Sequence, residues 1–368
     1  MRKLISLIFV LALAFSAFSF KDKTVLFYIG SQDKSENAAI SLAELDLATG
    51  QITLKESFKT APAPGYVSIS PNKKNLYAVT GDNKISAYAI GADHKLTYLN
   101  SQSSEGMNPC HVSVDPSGKM AFASNYTGGS FTAYTLAADG KVNPATYTQQ
   151  FTGTGPNTKR QEKAHAHFTA ASPNGKYVYT VDLGTDHVMN YVVNPQTGEL
   201  KPNPAQAAFE AKPGAGPRHF IISPSGKNMF ILNELDLTVT ACSINDAGVI
   251  TAIASYPTIP ADFKEPSTSS AIRLHPNGKF VYTSNRGHNS ISSFQIKPDG
   301  TLQKVDEQQT QAIKTPRDFN IDPSGKYMIV ANQDKDNLVV YEINPKSGKL
   351  TFKHESISVR LPICIAFL

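Results

Sequence analysis

The chain has 368 residues, 40% hydrophobic and 18% charged, with a formal net charge of +5. Such a length supplies ample material for a core and by itself suggests two domains. The near-balanced charge, and the lack of any basic cluster interleaved with aromatics, exclude nucleic acid as a partner.

At the N-terminus, Arg2 and Lys3 precede an apolar run from Leu4 to Phe18, and Ala17-Phe18-Ser19 offers a small-x-small cleavage site. This pattern is that of a secretory signal peptide over residues 1–19, with an uncleaved anchor as the alternative. No Cys follows the apolar run, which argues against a lipid anchor. Losing Arg2 and Lys3 lowers the formal charge to +3. The mature chain, 20–368, is then expected to be exported, periplasmic or secreted, with no stable membrane insertion.

The segment from Tyr28-Ile29-Gly30 to Thr49-Gly50-Gln51-Ile52 reads as outer strands lacking an inner one. After it a phrase built on Pro, Gly and Lys recurs six times, beginning at Ser70, Asp115, Ser172, Ser223, His275 and Asp322, with prolines 45 to 57 residues apart. Only the first copy lacks the Gly, with Lys73 in its place. That period accommodates one four-stranded sheet per repeat. An alternating apolar run leads to each Pro, a turn follows, and then a strand rich in β-branched and aromatic residues, such as Tyr177-Val178-Tyr179-Thr180-Val181. Two further strands complete each unit, and no amphipathic helix is evident after the N-terminus. No linker interrupts the array, so it forms one domain.

The last residues, Leu361 to Leu368, resemble the inner strands that start at Pro64 and Pro109. They are expected to supply the inner strand of the first unit and so pair two edges that would otherwise be exposed. The predicted fold is all-β, a seven-bladed β-propeller closed by the C-terminal strand joining the first blade. Three scattered cysteines, Cys110, Cys242 and Cys364, lack metal-ligand spacing, and all three are expected to be buried as small hydrophobes.

In such a blade the start of the first strand and the end of the second meet on one face of the disc. Six residues before each repeat Pro stand Gly65, Cys110, His167, Arg218, Ser270 and Arg317. Nine and ten residues after it stand Thr80-Gly81, Asn125-Tyr126, Asp182-Leu183, Asn233-Glu234, Asn285-Arg286 and Asn332-Gln333. Three arginines, a histidine and a glutamate thus converge on the central channel.

His165-Ala166-His167 places two imidazoles on one face of an extended strand, as a metal pair, an acid–base pair or rim hydrogen bonders. Nearby Arg218 and Arg286 would repel a cation, so neither metal nor cofactor is expected. Those guanidinium forks suit a carboxylate, a phosphate or a developing oxyanion. Glu234 is a counter-charge or a proton acceptor, and Arg317 extends the anion site. The recurring Asn residues and Asp182 are read first as turn caps, with His187 or a backbone amide as partner for Asp182. The polar stretch from Thr148 to Lys163 reads as a pocket-rim loop.

At these residues the chain resembles the seven-bladed lactonase family, which includes propeller-type 6-phosphogluconolactonases and carboxy-muconate lactonizing enzymes. The shared phrases are His165-Ala-His167, Asp182-Leu-Gly184-Thr-Asp186, Gly216-Pro-Arg218-His219, Asn233-Glu-Leu235, Ser284-Asn-Arg286 and Pro316-Arg317. The resemblance implies an active site drawn from His165 or His167 with Arg218, Glu234 and Arg286. Asp182, His219, Asn285, Arg317 and Gln333 are taken as substrate-binding candidates. Thr80-Gly81-Asp82 departs from the expected phrase in the second blade and is expected to remodel the rim.

The expected activity is metal-independent hydrolysis of a sugar lactone or similar cyclic ester, so the partner is a small-molecule lactone or carboxylate. Glu234 or a histidine would act as base, Arg218 would stabilise the oxyanion and Arg286 would hold the substrate's tail. A muconate-type lyase or cycloisomerase, a calcium-dependent lactonase and a non-catalytic binding propeller are the alternatives.

Overall fold

The computed structural model describes residues 23–194 and 196–368, so the segment read as a signal peptide lies outside them. Seven antiparallel sheets follow one another around an axis. The first blade is built as predicted: Pro362–Phe367 pairs with Thr24–Ser31, aligning Phe27 with Phe367 and Ile29 with Ile365. Outward from Thr24–Ser31 come Ala39–Asp46 and Ile52–Lys59. The one helical element among the described residues is a 3-10 turn at Gln333–Lys335. No helix there is long and apolar enough to cross a membrane.

The burial pattern follows from stacking blades face to face. Second strands, pressed between two neighbours, are buried almost throughout, as in Met120–Asn125 and Tyr327–Asn332. Outermost strands such as Ile250–Pro257 expose most of their residues. The apolar core therefore lies between adjacent blades: Phe27, Ile29, Ile329, Val340 and Ile365 form one such layer across the closure. Tyrosines on several second strands also donate to a turn of the next blade, Tyr77 to Gly140 O at 3.0 Å and Tyr179 to Gly248 O at 3.1 Å. With the hydrophobic layers between blades, the axis is left free to carry polar groups.

The repeat turn needs one left-handed residue. Gly175 supplies it at φ +68°, and in the copy without Gly, Lys73 adopts φ +60°. The fourth blade departs from the four-strand expectation. Its outer edge is split into Glu199–Pro202 and Ala208–Glu210, both paired with His187–Asn194. Pro204 lies in the break, where it has no N–H to give to a ladder.

A β-bulge at the head of the inner strands sets up the site. In the third, fourth, fifth and seventh blades the paired residues Pro109, Ala166, Pro217 and Pro316 face Asn125, Asp182, Asn233 and Asn332. The register then skips one residue, leaving Cys110, His167, Arg218 and Arg317 outside the ladder. The first blade skips Ile363 in the same way. A bulged residue is re-aimed from the sheet face, and four of these five line the mouth of the central channel.

Candidate active site

A cavity of about 620 Å³ opens at this end of the channel. Among the described residues that line it Glu234 is the sole acid, against Lys34, Arg160, Arg286 and Arg317. Glu234 sits at the end of the second strand of the fifth blade, Asn228–Asn233, and its side chain is 3% exposed. Oε1 accepts from Arg160 Nη2 at 2.5 Å, and Oε2 lies 3.0 Å from Arg286 Nη2 and 2.8 Å from Arg218 Nε. The Arg218 approach lacks hydrogen-bond alignment. Burial alone would raise the carboxyl pKa, but the charges of Arg286, Arg218 and Arg160 outweigh it and hold Glu234 well below the usual carboxylate range.

Arg218 stands behind Glu234 rather than on the cavity wall. Its Nη1 donates to Ser270 O and lies 3.1 Å from His219 Nε2. Burial, with Arg286 and Arg317 close by, pulls Arg218 below its ordinary value. Arg317 has no carboxylate within ion-pair distance among the described residues; Gln333 Oε1, 3.3 Å from its Nη1, is its polar partner. The cluster therefore carries several positive charges that protein acids do not neutralise.

His167 lines the cavity and His165 does not. Both rings flank Tyr126: His165 stacks on it at 4.4 Å and 17°, whereas His167 meets it edge-on at 5.5 Å. His165 is spent on protein, with Nδ1 donating to Tyr126 O at 2.9 Å and Nε2 lying 3.1 Å from Glu162 Oε1. His167 Nδ1 lies 3.8 Å from Cys110 Sγ. Burial, reinforced by Arg218, keeps the His167 imidazole neutral, with its pKa well below 6.5. Beneath it an aromatic floor links Tyr66, His111, Phe168 and His219, with His111 and Phe168 centroids 3.9 Å apart.

Of the residues taken from the sequence, His167, Glu234, Arg286 and Arg317 meet at the cavity, with Arg218 directly behind. The others are engaged elsewhere. Asp182 accepts from the His165 and Gly184 amides and from Thr185 Oγ1, the backbone-capping alternative. Asn285 binds Thr258 and Ser290, His219 belongs to the floor, and Gln333 bridges Arg317 to Gln32. Cys242 and Cys364 are buried as expected, but Cys110 is not: its bulge turns it into the cavity. Thr80 and Gly81 line the rim, where the second blade departs from the family phrase.

The residue that register missed is Arg160. It lies in the stretch read as a rim loop, outside the repeat, so no periodic position points to it. Its one sequence signal is a guanidinium in a polar loop between blades. Among the described residues no group of three or more His, Cys, Asp and Glu is placed to hold a metal ion.

The chain is similar to known proteins over nearly its whole length. A 6-phosphogluconolactonase of Bacillus subtilis is 33% identical over 347 residues, covering 93% of this chain and 97% of the relative. The crystal structure of a candidate 6-phosphogluconolactonase from Bacteroides fragilis superposes with a TM-score of 0.88 at 31% identity, over 95% of this chain and 99% of that one. A periplasmic gluconolactonase of Pseudomonas aeruginosa shares the fold at a TM-score of 0.87 and 24% identity, with 94% and 99% coverage. The family model described as "Lactonase, 7-bladed beta-propeller" matches residues 26–367, and this chain belongs to that family.

Proposed function

We propose that the protein hydrolyses a sugar lactone of the 6-phosphogluconolactone type, using His167 as general base. The observation that carries this reading is the pairing of one neutral, cavity-facing imidazole with a surplus of guanidinium groups around a single buried acid. Glu234 is a weak candidate for the base, since both its oxygens are held by arginines and its proton affinity is low. His167 Nε2 has no hydrogen-bond partner among the described residues and is available to take a proton from water.

In the proposed step, water oxygen bonds to the lactone carbonyl carbon while His167 accepts its proton. The ring C–O bond then breaks, and the proton passes to the departing alkoxide. Arg286 and Arg317, which line the cavity, are the donors for the oxyanion, an effect worth roughly 3–4 kcal/mol for a single donor. Arg218 serves by fixing Glu234, which in turn holds Arg286 in place.

The test is a lactone panel with purified mature protein: glucono-δ-lactone and its 6-phosphate, each with and without chelator, alongside loss of muconate absorbance. Opening of either lactone above the buffer rate supports the reading. Activity abolished by chelator and restored by Ca²⁺ would transfer it to a metal mechanism, and muconate turnover alone would make it a lyase. The pattern over residues 1–19 further supports a site of action outside the cytoplasm; fractionation of the producing cells tests that.

A further inference from the structure

Arg160 differs from Arg218 and Arg286 in two ways. It stands on the loop between the third and fourth blades rather than at a strand end. Its side chain is 36% exposed, against 3% for Arg218 and 17% for Arg286. Like Arg286, it makes its protein contacts through one nitrogen: Nη2 meets Glu234 Oε1 at 2.5 Å and Tyr126 Oη at 3.2 Å. Among the described residues, Nε and Nη1 have no acceptor.

The loop presenting it is anchored by a buried side chain. Gln161, 0% exposed, donates through Nε2 to Leu183 O at 2.9 Å and accepts from Asn157 N at 3.0 Å. Its backbone accepts from Gly155 N and donates to Asn157 O. Gly155 is fitted to this side chain: an added Cβ would lie 2.5 Å from the Gln161 amide carbon. A short loop with a fully buried amide at its centre is built to hold the neighbouring residue steady. That neighbour is Arg160.

Tyr126 relates this guanidinium to the reacting end. Its ring meets the His167 ring at 5.5 Å, while its hydroxyl receives the Arg160 contact. The tyrosine thus spaces the imidazole from Arg160, with the free Arg160 donors on the cavity rim.

We infer that Arg160 is a specificity-determining residue that binds an anionic substituent of the lactone at the end remote from the carbonyl. This rests on the lactonase reading for its substrate, but the guanidinium site is argued from its own contacts. A planar fork with two free donors suits phosphate or carboxylate oxygens and gives little to a neutral hydroxymethyl group. Being half-open to solvent, its contribution is screened by salt.

The experiment compares steady-state kinetics of wild type and Arg160→Gln on glucono-δ-lactone, its 6-phosphate and a lactone bearing a carboxylate in the same place. The expected result is a loss of kcat/KM at least about tenfold greater for the charged lactones than for the neutral one, expressed mainly in KM. Relative losses on the phosphate and carboxylate substrates tell which anion is preferred. Gln161→Leu, which keeps the guanidinium but removes its anchor, should show the same bias in smaller measure. Equal losses on charged and neutral lactones, expressed in kcat, would overturn the inference and make Arg160 a buttress for Glu234. If wild type opens no lactone, the catalytic reading fails and calorimetry with 6-phosphogluconate and gluconate decides about Arg160. A tenfold weakening by Arg160→Gln of the phosphorylated acid alone upholds it, and equal weakening of both acids overturns it.

Discussion

Arg218 Nε and Glu234 Oε2 lie 2.8 Å apart with both side chains only 3% exposed. A buried carboxylate between guanidinium groups cannot be removed cheaply, because each remaining charge loses its compensation. Glu234→Gln leaves Arg160, Arg218 and Arg286 facing one another. We expect it to destabilise the fold by about 3–5 kcal/mol. Inorganic phosphate should raise the melting temperature of the variant more than that of wild type, by replacing the lost charge. Thermal unfolding with and without phosphate checks this; equal responses would mean the arginines do not depend on Glu234.

The two neighbouring histidines should separate in a kinetic assay. His167→Gln should lower kcat/KM by about a hundredfold or more, the usual loss for a general base. His165 lies off the cavity, with its ring nitrogens on Tyr126 and Glu162, so His165→Gln should cost less than about tenfold. Because burial holds the His167 pKa below 6.5, the imidazole stays unprotonated as pH falls through that value. The kcat/KM profile should therefore remain level through pH 6.5 and decline only in more acid solution. A decline centred at or above 6.5 would remove His167 from the role of base.

Acid should weaken the fold through the channel floor. Burial, with a neighbouring guanidinium as the next cause, keeps His111, His167 and His219 neutral well below 6.5. Unfolded, they take up protons near 6.5, so below that pH the unfolded chain binds more protons and stability drops as pH is lowered. Each histidine contributes about 1.4 kcal/mol per pH unit until its folded pKa is reached. Urea unfolding between pH 7 and pH 5 should show this slope. It should be shallower in His219→Phe, and an unaltered slope would show that His219 binds its proton as readily in the native protein as in the unfolded chain.

The closure strand should matter as much as any core strand. Ile365 is 1% exposed, packs with Phe27 and Ile329, and its amide donates to Asp318 Oδ2 at 3.2 Å. Ile365→Ala should cost about 2–5 kcal/mol by urea unfolding. Ile253→Ala, on an outer strand with 37% exposure, should cost well under about 1 kcal/mol. Similar costs for the two would indicate that the ring holds without its closing strand.

Periodicity made the fold and most of the site legible. Counting from each repeat Pro brought Arg218, Glu234 and Arg286 to one end of the channel, because strand pairing preserves that count from blade to blade. It could not separate His165 from His167, since alternation puts both on one face and only the bulge at His167 distinguishes them. The same bulge carried Cys110 out of the core, against its hydrophobic character. Asn285, on its strand, and Gln333, just past the end of one, stand at the right height but turn to protein partners, a choice set by side-chain rotamer and neighbours. Arg160 escaped because loops outside a repeat have no register to count.

The skipped residues at the heads of the inner strands have a further consequence. Since Ile363, Cys110, His167, Arg218 and Arg317 stand outside the ladder, none of their side chains is constrained by cross-strand pairing. Their settings come instead from contacts with one another and with nearby side chains, as where Arg218 meets Glu234 and Cys110 Sγ lies 3.8 Å from His167 Nδ1. The charge at the channel mouth is therefore set by a handful of mutually dependent side chains, so that exchanging one disturbs the placement of the rest.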